Sequence, residues 1–507
     1  MRNRTATLLI GPVLAVLLVA IALIVPWGRS TPSRESQPQP PAPGAPPPAA
    51  MPPVIGAEGI GDPYFPLDGN GGYDVTAYDI RVRYNPPTDQ LEGHTTITAR
   101  ATENLARFNL DLRLPASAVT VDDRPAMIHQ FGGELQVTPA APVQAGTSMR
   151  ITVDYAGIPS VIPDGPSSPS PWVRTPDGAV AVGEPDIAAW WYPSNDHPSD
   201  KATFTITAIV PAGLQVISNG ALLGGPEQAG PGWQQWRWQE SEPMATYLAF
   251  VAIGNYEIVR RDTRFGLYLA AYDRELDPQI SDAARASVER TPEIVEFLSQ
   301  IFGPYPFRQL GGVVPNAPGL SFALENQTRP VYGLGFFVAG PDITVVVHEL
   351  AHQWFGDSVS VRHWSDIWLN EGFATYAEWL YSERTGGPTA REKAAQIYAS
   401  HPAGDPFWRI PPGDPGAADV LDSPVYQRGG MALQALRAAV GDDNFFTALR
   451  AWATERAGGN GSVQDFLAVV KRVSAKNGSG NNSSGKTIDE IAQTWLFKPA
   501  KPAAPPG

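Results

Sequence analysis

The sequence contains no cysteine among its 507 residues. This absence excludes disulfide bonds, thiolate metal ligands and attachment through a lipid-modified cysteine, so a metal site would have to use histidine and carboxylate side chains. Basic residues are also scarce, because 37 lysines and arginines stand against 51 aspartates and glutamates, for a formal net charge of −14 and a pI near 5.0. This acidic balance argues against nucleic acid as a partner.

One long uncharged run, residues 8–27, follows arginines at positions 2 and 4. As a helix it would span about 30 Å, the thickness of a bilayer core. Because a positive flank stays inside, we expect residues 1–29 to be a cytoplasmic flank and transmembrane signal-anchor, with the rest of the chain outside the cytoplasm. A cleaved signal peptide, which would make the protein secreted, is the alternative. The proline-rich residues 30–57 are expected to form an extended linker.

Residues 58–258 alternate apolar and polar side chains with a period of two, in short runs between turns rich in glycine and proline. Residues 78–84 and 149–155 are examples. This pattern is typical of strands with one buried face and predicts an all-β, sandwich-like domain. Helical patterning begins near Pro278 in a second region, residues 259–500, and residues 501–507 form a proline-rich tail.

The second region contains the motif His348-Glu349-Leu350-Ala351-His352 after an apolar run, and Gly356 is expected to stop the helix that carries it. Residues four apart lie one turn apart on one face of a helix, so both imidazoles can bind one metal ion while Glu349 is turned toward a water on that ion. A catalytic zinc needs three protein ligands and an open position. Ser358 occupies the position where some zinc enzymes have a third histidine, whereas Glu371, expected to open a second helix, can complete the set. The sequence therefore predicts one zinc ion per chain, bound by His348, His352 and Glu371.

This motif, followed by Trp368-Leu369-Asn370-Glu371-Gly372-Phe373-Ala374, resembles the gluzincin aminopeptidases, the family of membrane alanyl aminopeptidase and leukotriene hydrolase. The resemblance extends over about residues 60 to 500. It implies an N-terminal all-β saddle or sandwich domain, a thermolysin-like α+β zinc metallopeptidase domain, and a short form without the C-terminal helical domain of longer members.

The resemblance also implies substrate-binding residues. Residues 322–326 are similar to the family's Gly-Ala-Met-Glu-Asn in an edge strand of the cleft, with Ala323, Glu325 and Asn326 matching. Phe322 replaces the glycine and Leu324 the methionine. In the family this glutamate binds the free amino terminus of the substrate, and Glu184, upstream of a segment ending in Lys-Ala, matches a second carboxylate that reaches the same group.

Tyr426 takes the position of the family's tyrosine that hydrogen-bonds the tetrahedral intermediate, and Arg428 stands for a lysine beside it. A phenol suits this role because it donates to an oxyanion without losing its proton. Asn370 and the carboxylates of Asp366 or Glu378 are candidates to orient the zinc ligands, and the sequence does not rank them.

Together these residues predict a zinc aminopeptidase that acts on peptides with a free amino terminus, with Glu349 as general base and a membrane attachment through the N-terminal helix. A zinc endopeptidase or an epoxide-hydrolase-like relative is one alternative. A membrane-tethered binding protein with a decayed site is another, although the complete set of ligands argues against it.

Overall fold

A computed structural model of the chain describes residues 52–163, 170–476 and 487–507. The predicted transmembrane segment, residues 8–27, lies outside these ranges. Among the residues that are described, no helix combines the length and the apolar character needed to cross a bilayer.

The first part of the described chain is built from β-strands. They are β1 (Val54–Ile55), β2 (Tyr73–Asn85), β3 (Gln90–Ala101), β4 (Leu105–Asp111), β5 (Ala116–Val121), β6 (Arg124–Pro125), β7 (Met127–Phe131), β8 (Glu134–Thr138), β9 (Ser148–Gly157), β10 (Trp172–Arg174), β11 (Ala179–Ala181), β12 (Ala202–Pro211), β13 (Gln215–Ser218), β14 (Ala221–Gln228), β15 (Trp233–Met244) and β16 (Val251–Gly254).

These strands form three sheets. The largest has eight strands in the order β14-β15-β12-β2-β3-β9-β5-β6, and two four-stranded sheets have the orders β1-β4-β8-β7 and β10-β11-β16-β13. The two-residue period explains the burial, because Tyr78, Ile80 and Val82 in β2 are buried while Asp79 and Arg81 between them are exposed. Alternate side chains therefore enter the core, as the sequence predicts.

The second part mixes helices and strands. Its helices are α1 (Pro278–Val288), α2 (Thr291–Phe302), α3 (Ile343–Ala351), α4 (Trp368–Arg384), α5 (Ala390–Ser400), α6 (Ser423–Val440), α7 (Asp442–Glu455), α8 (Val463–Lys476) and α9 (Ile488–Ala492). Its strands are β17 (Tyr256–Thr263), β18 (Gly266–Asp273), β19 (Gln309–Val314), β20 (Ala323–Leu324), β21 (Val331–Tyr332), β22 (Ser360–Val361) and β23 (Asn460–Gly461).

One five-stranded sheet of order β17-β18-β19-β21-β20 leaves β20 at its edge, antiparallel to β21. Helix α4 lies between α3 and α6, packing against both. A single continuous core of buried apolar side chains runs through both parts. The predicted fold class, a β-rich domain followed by a mixed α/β domain, is confirmed.

Two predicted boundaries differ from the structure, and the tail makes contacts that the sequence does not predict. The linker was expected to reach residue 57, but Val54–Ile55 already pair in parallel with β4. The division at 258/259 falls inside β17, whose hydrogen bonds belong to the second domain's sheet. The proline-rich tail packs on the second domain, because Lys501 Nζ donates to the carbonyl oxygens of Tyr398 and His401.

Candidate metal centre and active site

Helix α3 presents the first two predicted zinc ligands. Asp342 caps its start, since its carboxylate accepts hydrogen bonds from the backbone N–H groups of Thr344 and Val345. The helix ends at Ala351, five residues before the predicted stop at Gly356. His352 nevertheless keeps helical backbone angles, with φ of −58° and ψ of −25°, so the one-turn spacing from His348 is preserved.

Glu371 lies in the first turn of α4 and faces both imidazoles. The intervening chain contains the short strand β22 and a 3-10 turn, Trp364–Asp366, which return it to the metal-binding helix. Glu371 Oε2 lies 3.2 Å from His348 Nε2 and 3.6 Å from His352 Nε2. Zinc bonds to such atoms are about 2.0–2.2 Å long, which separates tetrahedral ligands by about 3.3 Å. The three atoms thus have the spacing of a zinc site.

The other ring nitrogen of each histidine is held by a hydrogen bond. His348 Nδ1 lies 2.6 Å from Glu378 Oε1, and His352 Nδ1 lies 3.0 Å from the carbonyl oxygen of Phe355. These partners place the protons on Nδ1 and leave both Nε2 atoms free to bind a metal. Although burial favours the neutral acid, positive charge and hydrogen bonds from the two histidines in their protonated forms outweigh it and lower the pKa of Glu371 to about 2, and a metal ion bound to neutral imidazoles would supply positive charge at the same place. A charged carboxylate and two oriented imidazoles fit zinc.

A cavity of about 330 Å³ opens over these ligands. Six carboxyl groups line it, those of Glu184, Glu325, Asp342, Glu349, Glu371 and Glu378. Burial, followed by the charges of Glu325, Glu371 and Glu349, raises the pKa of Glu184 well above its ordinary range, and Glu184 Oε1 is buried without a hydrogen-bond partner among the described residues. In such a concentration of carboxyl groups some hold a proton, unless a cation bound between them stabilises the charged forms.

Glu349 points into the cavity beside the two histidines. Burial raises its pKa to about 8, and the charges of Glu325 and Glu371 add to this while His348 and His352 oppose it. A carboxyl group that titrates near neutrality can both accept and return a proton. The position and the chemistry match the base that the sequence predicts.

Tyr426, near the start of α6, lies over His348. The two rings are nearly parallel, with centroids 5.9 Å apart, and the phenol lines the cavity. Burial and then the charge of Glu371 raise the pKa of Tyr426 well above its ordinary value. The hydroxyl therefore keeps its proton and can donate a hydrogen bond above the metal site.

Strand β20 brings Ala323 and Leu324 to the cavity wall, where Phe322 before the strand and Glu325 directly after it also line the cavity. Glu325 Oε1 accepts a hydrogen bond of 2.8 Å from the hydroxyl of Tyr247, which comes from the β-rich domain.

Two predicted substrate contacts are not found at the cavity, and we correct them. Asn326 is fully buried and its amide donates to the carbonyl oxygen of Leu248. Arg428 is also fully buried and points to the other side of α6, where its guanidinium donates to the carbonyl oxygens of Trp495 and Trp408. Both side chains tie segments of the fold together, and neither lines the cavity.

The three candidates for orienting the zinc ligands are now separated. Glu378 contacts His348 directly. Asp366 instead accepts a hydrogen bond from the backbone N–H of Val463. The side chain of Asn370 is buried and has no partner in the part of the chain that the structure describes.

Sequence reasoning missed three residues that support the site. Tyr247 holds Glu325, and no motif marks it. Gln353, next to a predicted ligand, links the metal-binding segment to the Glu325 strand, since it accepts from Thr328 N–H and donates to the Glu325 carbonyl oxygen. Lys201 donates to the carbonyl oxygens of Asp357 and Ser358. The Lys-Ala ending of its segment was the available signal.

Comparison with protein-family models gives two matches. The Peptidase family M1 domain matches residues 341–495, which include the three zinc ligands and Tyr426. The Peptidase M1 N-terminal domain matches residues 175–248, which include Glu184, Lys201 and Tyr247.

Characterised relatives agree with these matches. Aminopeptidase N of Haemonchus contortus is 27% identical over 353 residues, covering 63% of this chain and 35% of the relative. Leucyl aminopeptidase of Saccharolobus solfataricus is 28% identical over 338 residues, covering 61% of this chain and 40% of the relative. The chain thus spans between a third and two fifths of the length of these two relatives.

Solved structures resemble the chain over nearly their whole length. The M1 zinc metallopeptidase of Deinococcus radiodurans has a TM-score of 0.77 and 29% identity, covering 89% of this chain and 99% of that one. A glutamate-to-alanine mutant of the Deinococcus enzyme, bound to a Tyr-Ser-Ala substrate, has a TM-score of 0.76 and 28% identity, covering 88% and 99%.

Proposed function

Because the chain belongs to peptidase family M1, we propose that it is a zinc-dependent aminopeptidase that removes amino-terminal residues from peptides. The observation that carries the proposal is the placement of Glu325 and Glu184 on the wall of the cavity that holds His348, His352 and Glu371. An amine-binding pair of carboxylates next to a hydrolytic metal is what an exopeptidase requires.

Zinc, when bound by His348, His352 and Glu371, supplies Lewis-acid chemistry that polarises a carbonyl group and acidifies water. Glu349 takes up the proton released by the attacking water and delivers it to the leaving amine, which its raised pKa suits. Tyr426 donates its hydroxyl proton in a hydrogen bond to the developing oxyanion. These roles use atoms that line one cavity.

The negative charge of Glu325 accounts for recognition of a free, protonated amino terminus. Glu325 is 2% exposed, so a protonated amine beside it is shielded from solvent and gains a charge-assisted hydrogen bond. The hydroxyl of Tyr247 occupies one oxygen of Glu325 and fixes the direction of the other. An amine bound here lies next to the metal ligands, which restricts cleavage to the first peptide bond. The Tyr-Ser-Ala peptide found in the Deinococcus mutant supports peptides as the substrate class.

The test is a panel of aminoacyl-arylamides, each paired with its amino-acetylated form, assayed before and after removal of metal by a chelator. We expect hydrolysis of the free amines only, loss of activity with the chelator, and recovery with zinc. Glu349→Gln should lower kcat by a hundredfold or more, since general acid–base catalysis contributes roughly 10²- to 10⁴-fold.

Glu325→Gln distinguishes the alternatives. If the protein is an aminopeptidase, the variant should have a higher KM for free-amine substrates. The ratio of kcat/KM between free and acetylated substrates should therefore fall. If the wild-type protein cleaved acetylated peptides as well as free ones, it would be an endopeptidase. Zinc bound in one equivalent without turnover of any substrate would instead indicate a binding protein.

We also propose that residues 8–27 anchor the protein in a membrane with the enzyme outside the cytoplasm. The twenty uncharged residues after two arginines support this. Fractionation of cells after an alkaline wash tests it, because an anchored protein stays in the membrane pellet. Release of a shortened chain into the medium would contradict it.

A further inference from the structure

A second group of metal-ligating side chains lies outside the active site. It consists of Asp62, His197 and His363, whose ligand atoms all lie within 4.8 Å of one another. The three residues come from distant parts of the sequence: the start of the β-rich domain, the loop before β12, and the turn between β22 and α4. Asp62 and His197 are buried, and His363 closes the group on its solvent side with 39% of its side chain exposed.

The distances match those of the catalytic ligands. Asp62 Oδ2 lies 3.1 Å from His197 Nε2 and 3.8 Å from His363 Nδ1. In the active site, the corresponding distances from Glu371 to the two histidines are 3.2 and 3.6 Å. In both places one carboxylate oxygen faces two imidazole nitrogens at the spacing that tetrahedral zinc produces.

The surroundings hold two of the ligands in place. Asp62 Oδ1 accepts hydrogen bonds from the backbone N–H groups of Tyr64 and Phe65, and Oδ2 accepts one from Trp364 N–H. His197 Nδ1 lies 2.7 Å from the hydroxyl oxygen of Ser199 and 3.2 Å from the Ser199 backbone nitrogen, and Nε2 lies 3.1 Å from Asp62 Oδ2. When a metal binds Nε2, the ring proton lies on Nδ1 and is donated to the Ser199 hydroxyl oxygen. This is the outer hydrogen bonding that orients histidine ligands in metal sites.

A simple hydrogen-bonded pair accounts for Asp62 and His197 but not for His363. His363 Nδ1 is shielded from solvent, has no hydrogen-bond partner among the described residues, and is too far from Asp62 for a hydrogen bond. A nitrogen that is shielded from water and has no hydrogen-bond partner is destabilising. A bound cation would satisfy that nitrogen.

We propose that Asp62, His197 and His363 bind a second dication of the zinc class, with water as the fourth ligand on the solvent side of His363. Two imidazoles and one carboxylate favour zinc over calcium or magnesium, which prefer oxygen ligands. The ion would join three segments that are otherwise separated by more than a hundred residues. It would also fix Trp364, whose indole packs edge-on against Tyr247 at 5.6 Å, and Tyr247 holds Glu325.

The test counts metal ions in the full chain. A chelator first removes all metal from the protein, which is then equilibrated with zinc chloride and separated from unbound zinc. Elemental mass spectrometry measures the number of zinc ions that remain bound per chain. We expect two zinc ions in the wild type and one in His348→Ala/His352→Ala. We also expect one zinc ion in His363→Ala, and none in the variant that combines His348→Ala, His352→Ala and His363→Ala. His129→Ala, which removes an exposed histidine of the β-rich domain, should keep two.

Thermal unfolding gives an independent measurement. In the His348→Ala/His352→Ala background, zinc should raise Tm by mass action on the remaining site, and His363→Ala should abolish that rise. If His363→Ala does not fold, His363→Phe keeps the ring and removes the ligand atom. One zinc in the wild type and none in the double variant would overturn the proposal. Two zinc ions retained in His363→Ala or His363→Phe would also overturn it.

Discussion

Glu378 is the residue on which the orientation of His348 depends. Its carboxylate accepts the Nδ1 proton of His348 at 2.6 Å, and this contact fixes the ring and increases its basicity. Removing such a partner costs about 10- to 100-fold in metal affinity. We therefore expect Glu378→Gln to raise the free zinc concentration needed for half-maximal activity by about that factor, measured in zinc-buffered assays.

The matched control is Asp366→Asn. Asp366 was an equal candidate on sequence grounds, but its carboxylate accepts a hydrogen bond from the Val463 N–H, and it forms no ion pair with a ligand of the catalytic zinc. The zinc dependence of Asp366→Asn should equal that of the wild type. If both variants weakened zinc binding alike, the contact of Glu378 would not be the cause.

Tyr247 acts on the substrate through Glu325. Tyr247→Phe removes the hydroxyl that donates to Glu325 Oε1 and leaves a buried carboxylate less well oriented. Because hydrogen bonds to charged groups contribute about 1.5–3 kcal/mol, we expect KM for free-amine substrates to rise about tenfold or more, with a smaller change in kcat. Steady-state kinetics measures the two constants.

Tyr256→Phe is the control for Tyr247→Phe. Its hydroxyl is also buried, but it has no hydrogen-bond partner among the described residues and does not line the cavity. We expect unchanged KM and kcat. An equal rise in KM in both variants would point to general loss of stability.

Single residues show where sequence reasoning succeeds and where it stops. The spacing of His348 and His352 identifies two ligands because helix geometry alone puts them on one face. Arg428 follows Tyr426 by two residues, and two residues along a helix turn the side chain to the opposite side. Its contact with Trp495, 67 residues away, depends on how the chain end packs, which no local pattern encodes.

At the level of elements, helices α4 and α6 carry Glu371 and Tyr426 and touch where both have glycine. A Cβ atom added at Gly372 would lie 3.0 Å from the Cα and carbonyl carbon of Gly429. Both atoms are backbone and cannot move without moving a helix. The distance between the ligand on α4 and the phenol on α6 is thus set by the absence of side chains at this crossing.

Gly372→Ala should therefore separate the two helices. Alanine gains about 1 kcal/mol of helix propensity over glycine, but overpacking costs about 1–3 kcal/mol, so we expect a net loss of stability or little gain. Activity should fall together with zinc affinity, because Glu371 is the preceding residue. Gly404→Ala, at an exposed glycine with open space around it, should leave zinc affinity and activity unchanged.

The sequence predicts room for a helix end, a short strand and a turn between the zinc ligands, because eighteen residues separate His352 from Glu371. It places the end of α3 at Gly356, five residues late. The reason is local, since Asp357 N–H and Ser358 N–H bond back to the carbonyl oxygens of His352 and Gln353 in a series of turns that an apolar pattern does not distinguish from helix.

For the whole molecule, the two-part fold follows from the change of hydrophobic period, and the structure confirms it. What the period does not reveal is that the active site belongs to both domains. Glu184 and Tyr247 come from the β-rich domain and Glu325 and Tyr426 from the second, all four line or support one cavity, and the Tyr247–Glu325 hydrogen bond joins residues 78 positions apart. Long-range contacts of this kind require the folded structure.

Lys201 of the β-rich domain holds the loop that follows the metal-binding helix. Its ammonium donates to the carbonyl oxygens of Asp357 at 2.6 Å and Ser358 at 3.0 Å. Lys201→Met preserves most of the volume and leaves the Asp357 carbonyl oxygen without this donor. A buried polar group that loses its partner costs about 1–3 kcal/mol, so we expect Tm to fall by a few degrees.

The same variant should affect the metal site as well as stability, because the loop begins at His352. We expect Lys201→Met to weaken zinc binding in the buffered assay, whereas Lys476→Met, at an exposed helix end, should change neither Tm nor zinc affinity. A lower Tm with unchanged zinc affinity would mean that the β-rich domain supports the fold of the second domain without positioning its ligands.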